Sequence, residues 1–245
     1  MRNIKLTIEY DGKDFNGWQK QRDKLNIQGE IERAIEEVTG EKVDLIASGR
    51  TDAGVHATGQ VANFRLEKDF PIEKMPYALN SKLKKSIRIK QAEEVPEKFH
   101  SRYTCKKKTY RYVINNSVQG TAIYRYLQYH FPEKLDENKM NEAVKYLIGE
   151  HDFKSFKASG TSSKSSVRTI YDAKVTIDGE IVTIELTGNG FLYNMVRIIA
   201  GTLVDVGIGK IEPFDVKEIL EAKDRLMAGK TLPPTGLYLV NVEYE

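Results

Sequence analysis

The chain has 245 residues, 40% hydrophobic and 30% charged, the composition of a water-soluble globular protein of one large or two small domains. A formal net charge of +3 is too small to bind a polyanion by itself, so any such affinity must come from local clusters of cations. A single cysteine, Cys105, excludes an internal disulfide and suits a reducing cytosol.

No apolar run approaches the length of a membrane span, and the alternating start Met1–Gly12 lacks the apolar stretch of a signal peptide. A cytoplasmic protein without membrane attachment is expected. His56, His100, His130 and His151 form no HxxxH pair and Cys105 no CxxC pair, which argues against zinc. No GxGxxG opens a helix and no GxxxxGK[ST] occurs. Chemistry without a cofactor or metal is the expectation.

Asn3–Tyr10 alternates Ile4, Leu6 and Ile8 with polar residues, a half-buried strand. Ile27, Ile31, Ala34, Ile35 and Val38 recur at helical spacing, with Gly40 as the stop. Val43–Ala47 reads as a strand, and Gln60–Leu66 as another. Between them, Ser48–Gly59 forms a loop of about a dozen residues, longer than the two to five of a usual hairpin connection. It carries three glycines, one guanidinium at Arg50 and one carboxylate at Asp52. Long loops rich in specific side chains are usually functional; the plain alternative is an Asp and an Arg that bond their own turn. Pro71–Leu83 reads as a helix with an ill-defined start at Pro76, and Ser86–Glu94 as a strand. The order is βαββαβ, that of ferredoxin-like and RNA-recognition domains.

The second half repeats that order loosely. Lys108–Ile114 and Tyr124–Phe131 read as strands, Leu135–Ile148 as a helix, and Tyr171–Ile177 and Ile181–Thr187 as a hairpin turning at Asp178-Gly179. A helix over Leu192–Val206 would place Tyr193 and Arg197 on one face. A shorter helix follows Pro213, and Leu237–Tyr244 is a last strand. The fold class expected is α+β, two βαββαβ halves over 1–105 and 106–245, forming a central, mainly antiparallel sheet with a cleft between them.

Cations cluster. Lys98–Tyr112 holds six Lys and Arg and no acid, with Phe99, Tyr103, Tyr110 and Tyr112 interleaved. Such a mixture suits RNA, whose phosphates meet cations and whose splayed bases stack on rings; a solvated edge strand is the plain reading. A second acid-free run spans Lys154–Arg168, and Lys82, Lys84, Lys85, Arg88 and Lys90 make a third patch. Arg197 lies in an otherwise apolar helix, where a buried guanidinium needs an anionic partner unless it reaches solvent.

Five stretches carry a resemblance: IEYDGKDFNGWQKQ at Ile8–Gln21, GRTDAGVHATGQVANF at Gly49–Phe64, KKKTYRYVI at Lys106–Ile114, NGFLYNMVRIIAGTL at Asn189–Leu203 and GLYLVNVEY at Gly236–Tyr244. In this order they resemble the tRNA pseudouridine synthase A family over nearly the whole chain; the Ser/Thr/Lys-rich loop at Thr161–Ser166 matches only in character. The resemblance implies isomerisation of uridine to pseudouridine in the anticodon arm of tRNA, after base flipping, by a homodimer without cofactor. It implies that Asp52 is the catalytic carboxylate, that Arg50 assists flipping, that Tyr110 stacks on the extruded uracil and that Arg197 holds Asp52 ionised. Phe99, His100, Arg102, Lys106, Lys107, Lys108, Lys164 and Arg168 complete the expected tRNA contacts. The rival class is a non-catalytic RNA-binding protein of tandem RNA-recognition units. Against it, the Gln60–Leu66 strand lacks the aromatic pattern of such modules, and the Arg50/Asp52 loop would have no task.

Overall fold

A computed structural model describes residues 1–160 and 165–244. The chain folds into two compact units, Met1–Lys106 with Tyr238–Glu245, and Lys107–Leu237. The last strand thus belongs with the first unit, and the second is not a complete copy of it. Mixed α/β structure with mainly antiparallel pairing is observed, as the α+β reading expects.

The first unit follows the βαββαβ order: β1 (Arg2–Tyr10), α1 (Ile27–Thr39), β2 (Ile46–Ala47), β3 (His56–Leu66), α2 (Met75–Lys82) and β4 (Ile87–Val95). β1 lies between β4 and β3, antiparallel to both, and β2 adds antiparallel to β3. The apolar stripe of α1, with Ile27, Ile31, Ala34 and Ile35, is buried, as are Ile4, Leu6 and Ile8 of β1. Asn26 caps α1 by accepting from the Gly29 N–H, and Gly40 closes it at φ 71.

Two boundaries differ from the sequence reading in ways that shape the loop. β2 is shorter than Val43–Ala47, because side chains of α1 take its backbone bonds: Leu45 N–H donates to Glu32 Oε1 and Leu45 C=O accepts from Gln28 Nε2. β3 begins at His56 and not Gln60, which reduces the connection to residues 48–55. The reason is a long-range neighbour, β10 (Leu237–Glu243), which runs parallel to β3 with Tyr238 opposite His56 and Leu239 opposite Ala57. Gly59 permits this, since a Cβ there would sit 2.2 Å from the Val240 carbonyl oxygen.

In the second unit β5 (Lys107–Asn115), β9 (Ile181–Gly188), β8 (Val167–Asp178) and β7 (Gly149–Asp152) form antiparallel neighbours in that order, and β6 (Tyr129–His130) pairs parallel with β5. β6 is far shorter than Tyr124–Phe131. Local turn bonds compete there, Tyr124 N–H to Thr121 Oγ1 and Leu127 N–H to Tyr124 C=O, and Ile123 and Tyr124 bury no face. α3 (Glu137–Lys145) is shorter at both ends than Leu135–Ile148, its start set by the Asp136 cap. α4 (Met195–Gly207) starts after Asn194, which takes a left-handed conformation at φ 60. Tyr193 therefore precedes the helix and does not share a helical face with Arg197. α5 (Asp215–Ala222) follows Pro213 as expected. Among the described residues no helix is long and apolar enough to cross a membrane.

Candidate active site

The loop 48–55 is fixed from several sides within the first unit. At its start Ser48 N–H donates to Val61 C=O, 2.8 Å, and Ser48 Oγ donates to Gln60 Oε1, 2.8 Å. The same Gln60 amide donates through Nε2 to Gly49 C=O, 2.9 Å. In its middle, Thr51 Oγ1 bonds the Tyr10 hydroxyl at 2.7 Å, and Thr51 C=O accepts from Trp18 N–H at 3.0 Å. At its end Gly54 N–H donates to Phe15 C=O and Val55 N–H to Asp52 C=O.

The segment that follows β1 presses closely on this loop. Gly17, at φ +84, lies so near that a Cβ would be 2.6 Å from Thr51 O and 3.0 Å from Asp52 C. Only glycine meets both the left-handed conformation and the contact. Ser48, Thr51, Val55, Tyr10, Trp18 and Gln60 are buried, whereas Asp52 is half-buried and Arg50 exposed. A rigid backbone thus holds a carboxylate and a guanidinium, two residues apart, where a ligand can reach them. Burial pushes the Tyr10 phenol well above its ordinary pKa, so it stays a neutral hydroxyl. His56, the first residue of β3, is buried, stacks on Tyr238 with centroids 4.9 Å apart, and accepts Gly12 N–H at Nδ1.

Phe99, His100 and Arg102 lie together in the turn after β4. The Phe99 ring packs on Tyr244 at 4.7 Å, with Lys5 Nζ 5.8 Å from its centroid. His100 Nδ1 accepts the backbone N–H groups of Arg102 and Tyr103, and its ring lies 4.2 Å from that of Tyr103. Arg102 and Tyr103 are exposed. Lys106 is exposed too, and its N–H donates to Glu243 C=O.

The remaining expected residues belong to the second unit. On β5 the alternation of a strand splits the lysines: Lys108 is on the side of Tyr110 and Tyr112, while Lys107 is on that of Thr109 and Arg111. Lys107 Nζ is 5.6 Å from the Tyr171 ring, and Arg111 binds Glu185 through Nε and Nη2. Tyr110 is 9% exposed and meets Phe191 edge-on at 5.0 Å; Tyr112 is fully buried and donates its hydroxyl to Pro233 C=O. Tyr112 is therefore the core ring of the two. Arg197 is half-buried in the first turn of α4, with Nε donating to Leu232 C=O at 2.6 Å and Nη1 to Asn194 Oδ1 at 2.7 Å. Arg168, the second residue of β8, donates to Ser165 and Val167 carbonyls; burial lowers its guanidinium pKa. Lys164 lies outside the described residues.

The pinned loop presents a carboxylate and a guanidinium, and β5 carries cations beside aromatic rings; comparison with known proteins decides the family. Residues 6–104 and 143–245 match the tRNA pseudouridine synthase family. The chain belongs to that family. Similar curated proteins, each called tRNA pseudouridine synthase A and covered completely over 244 residues, include those of Caldicellulosiruptor saccharolyticus at 54% identity, Acetivibrio thermocellus at 52% and Clostridium acetobutylicum at 50%. Members of the family are isomerases, so a tandem RNA-binding module without catalysis is set aside. Within this synthase, sequence reasoning passed over Tyr10, Gly17, Thr51 and Gln60 as parts of the site. The signal was available in part: all four lie in the stretches Ile8–Gln21 and Gly49–Phe64, and a Gln, a Thr and a Tyr are polar side chains that burial obliges to pair.

Proposed function

We propose that this chain isomerises uridine to pseudouridine in the anticodon arm of tRNA, with Asp52 as the catalytic carboxylate. The observation that carries the reading is Asp52 itself: the half-buried carboxylate of a loop whose backbone is held by buried bonds, in a chain of the tRNA pseudouridine synthase family. The N1–C1′ glycosidic bond breaks, the uracil turns, its C5 bonds to C1′, and the C5 proton leaves while N1 gains one. An ionised Asp supplies the nucleophile or countercharge at the sugar–base junction.

The uridine must first leave its stack, at a cost of a few kcal/mol. Arg50, exposed beside Asp52, takes the place of the departing base. Tyr110 receives the uracil on its ring and its hydroxyl accepts the C5 proton. Arg197, its fork aligned by Asn194 and Leu232, keeps Asp52 ionised by its charge. Phe99, His100, Arg102, Lys106, Lys107, Lys108, Lys164 and Arg168 contribute to holding the tRNA, and the working unit is a cytoplasmic homodimer.

The test is tritium release from tRNA labelled with [5-³H]uridine, followed by mapping of pseudouridine along the product. Stoichiometric release confined to the 3′ strand of the anticodon arm supports the proposal. Release from another arm would reassign the substrate, and tight binding with no release would reduce the chain to an RNA-binding protein.

A further inference from the structure

Three buried polar side chains, those of Tyr10, Thr51 and Gln60, meet beneath the loop that carries Arg50 and Asp52. Tyr10 is 2% exposed, Thr51 6% and Gln60 0%. The Tyr10 hydroxyl lies 2.7 Å from Thr51 Oγ1 and 3.5 Å from Gln60 Nε2. Gln60, within β3, reaches across to the start of the loop. Its Oε1 accepts from Ser48 Oγ at 2.8 Å and from Val61 N–H at 3.1 Å, while its Nε2 donates to Gly49 C=O at 2.9 Å. Thr51 is thus held by its hydroxyl from Tyr10 and by its carbonyl from Trp18 N–H, with Gly49 held by Gln60 two residues earlier.

A core of this kind could be filled by Phe, Val and Leu at lower desolvation cost, since burying a hydroxyl or an amide is unfavourable unless it is fully paired. Each polar group spent here instead bonds the loop, and together they grip it at Ser48, Gly49 and Thr51. Fixing Thr51, the residue between Arg50 and Asp52, fixes the backbone from which both neighbours project.

We propose that Tyr10, Thr51 and Gln60 are positioning residues of the isomerisation, a buried bracket that sets the direction of the Asp52 carboxylate without touching substrate. This rests on the reading of Asp52 as the catalytic carboxylate. The bracket turns a chain segment with several accessible conformations into one, so that the carboxylate arrives at the reacting atoms already oriented.

The experiment compares Tyr10→Phe and Thr51→Val, each removing one hydroxyl with little change of shape, with Tyr10→Phe/Thr51→Val together and with Thr51→Ser, which keeps the hydroxyl. Single-turnover rates on [5-³H]uridine tRNA, tRNA Kd and melting temperature are measured for the full chain. The rate should fall by roughly 10- to 100-fold for each single variant, the scale of about a 1 Å misplacement. tRNA Kd should stay within about twofold, the double variant should be no slower than the slower single, and Thr51→Ser should recover most of the rate. Folded single variants with lower melting temperatures but wild-type rates would overturn the proposal and leave the bracket a stability device. So would multiplicative losses in the double variant. Asp52→Asn in the same series separates the two claims: an active Asp52→Asn removes the catalytic reading itself, whereas an inactive Asp52→Asn beside fully active Tyr10→Phe and Thr51→Val removes the bracket alone.

Discussion

Tyr110 and Tyr112 sit in different surroundings on one strand. They share a side of β5, yet Tyr112 is fully buried with its hydroxyl given to Pro233 C=O, and burial pushes its phenol far above the ordinary range. Tyr110 stands at the edge of that core against Phe191. If Tyr110 both stacks on uracil and moves the C5 proton, Tyr110→Phe should keep tRNA affinity within about tenfold, 1.4 kcal/mol, and lose most of the isomerisation. Tyr110→Ala should lose stacking as well, roughly 1–3 kcal/mol per base. Filter binding with tritium release separates the two, and a Phe variant of near-normal rate would leave Tyr110 as a platform only. Which tyrosine was the core ring could not be read from alternation, because both lie on the same side. Asp52 stood out in the sequence as a lone carboxylate in a glycine-flanked loop; Tyr10 and Gln60, which hold that loop, did not, because bonds over 41 and 11 residues of chain leave no periodic trace.

At the scale of elements, strands and helices with a clean apolar repeat were placed nearly to the residue: β1, α1, β4, β5 and β9. Those decided by side-chain bonds to the backbone were not. Glu32 and Gln28 shorten β2, Asp136 delays α3, and β7 is a polar Gly-Glu-His-Asp segment defined only by its register with β8. On β9, Glu185 lies between Arg111 of β5 and Lys174 of β8. Burial works against ionised Glu185, but Arg111 and Lys174 outweigh it and hold its carboxyl below the usual carboxylate range. A folded-state pKa below the unfolded one means stability that is present above the unfolded value and lost as pH falls through the folded one. Melting temperature should therefore decline as pH drops below about 4.3, the ordinary Glu value, and Glu185→Gln should flatten that decline while lowering stability at neutral pH. An identical acid limb in wild type and variant would show that the triad adds nothing to the second unit.

At the scale of the whole molecule, the sequence boundary at 105/106 lies one residue from the division at Lys106 and Lys107, but the final strand returns to the first unit. Parallel pairing of β10 with β3 across such a distance in sequence is set by tertiary contact and by Gly59, not by local propensity. With a net charge of only +3, tRNA affinity must come from clusters. Lys106, Lys107 and Lys108 point to different sides of their segment, so the triple change to Ala should remove at least one phosphate contact. Each contact contributes roughly 0.7–0.9 to the slope of log K against log salt, and an unchanged slope would place all three lysines away from the tRNA. The central claim, that Asp52 performs the isomerisation, meets its most direct test in tritium release from [5-³H]uridine tRNA by Asp52→Asn. The replacement keeps shape and removes charge. Asp52→Asn should be a folded protein of near-wild-type tRNA affinity with no detectable release, and release above a few per cent of wild type would remove Asp52 from the chemistry.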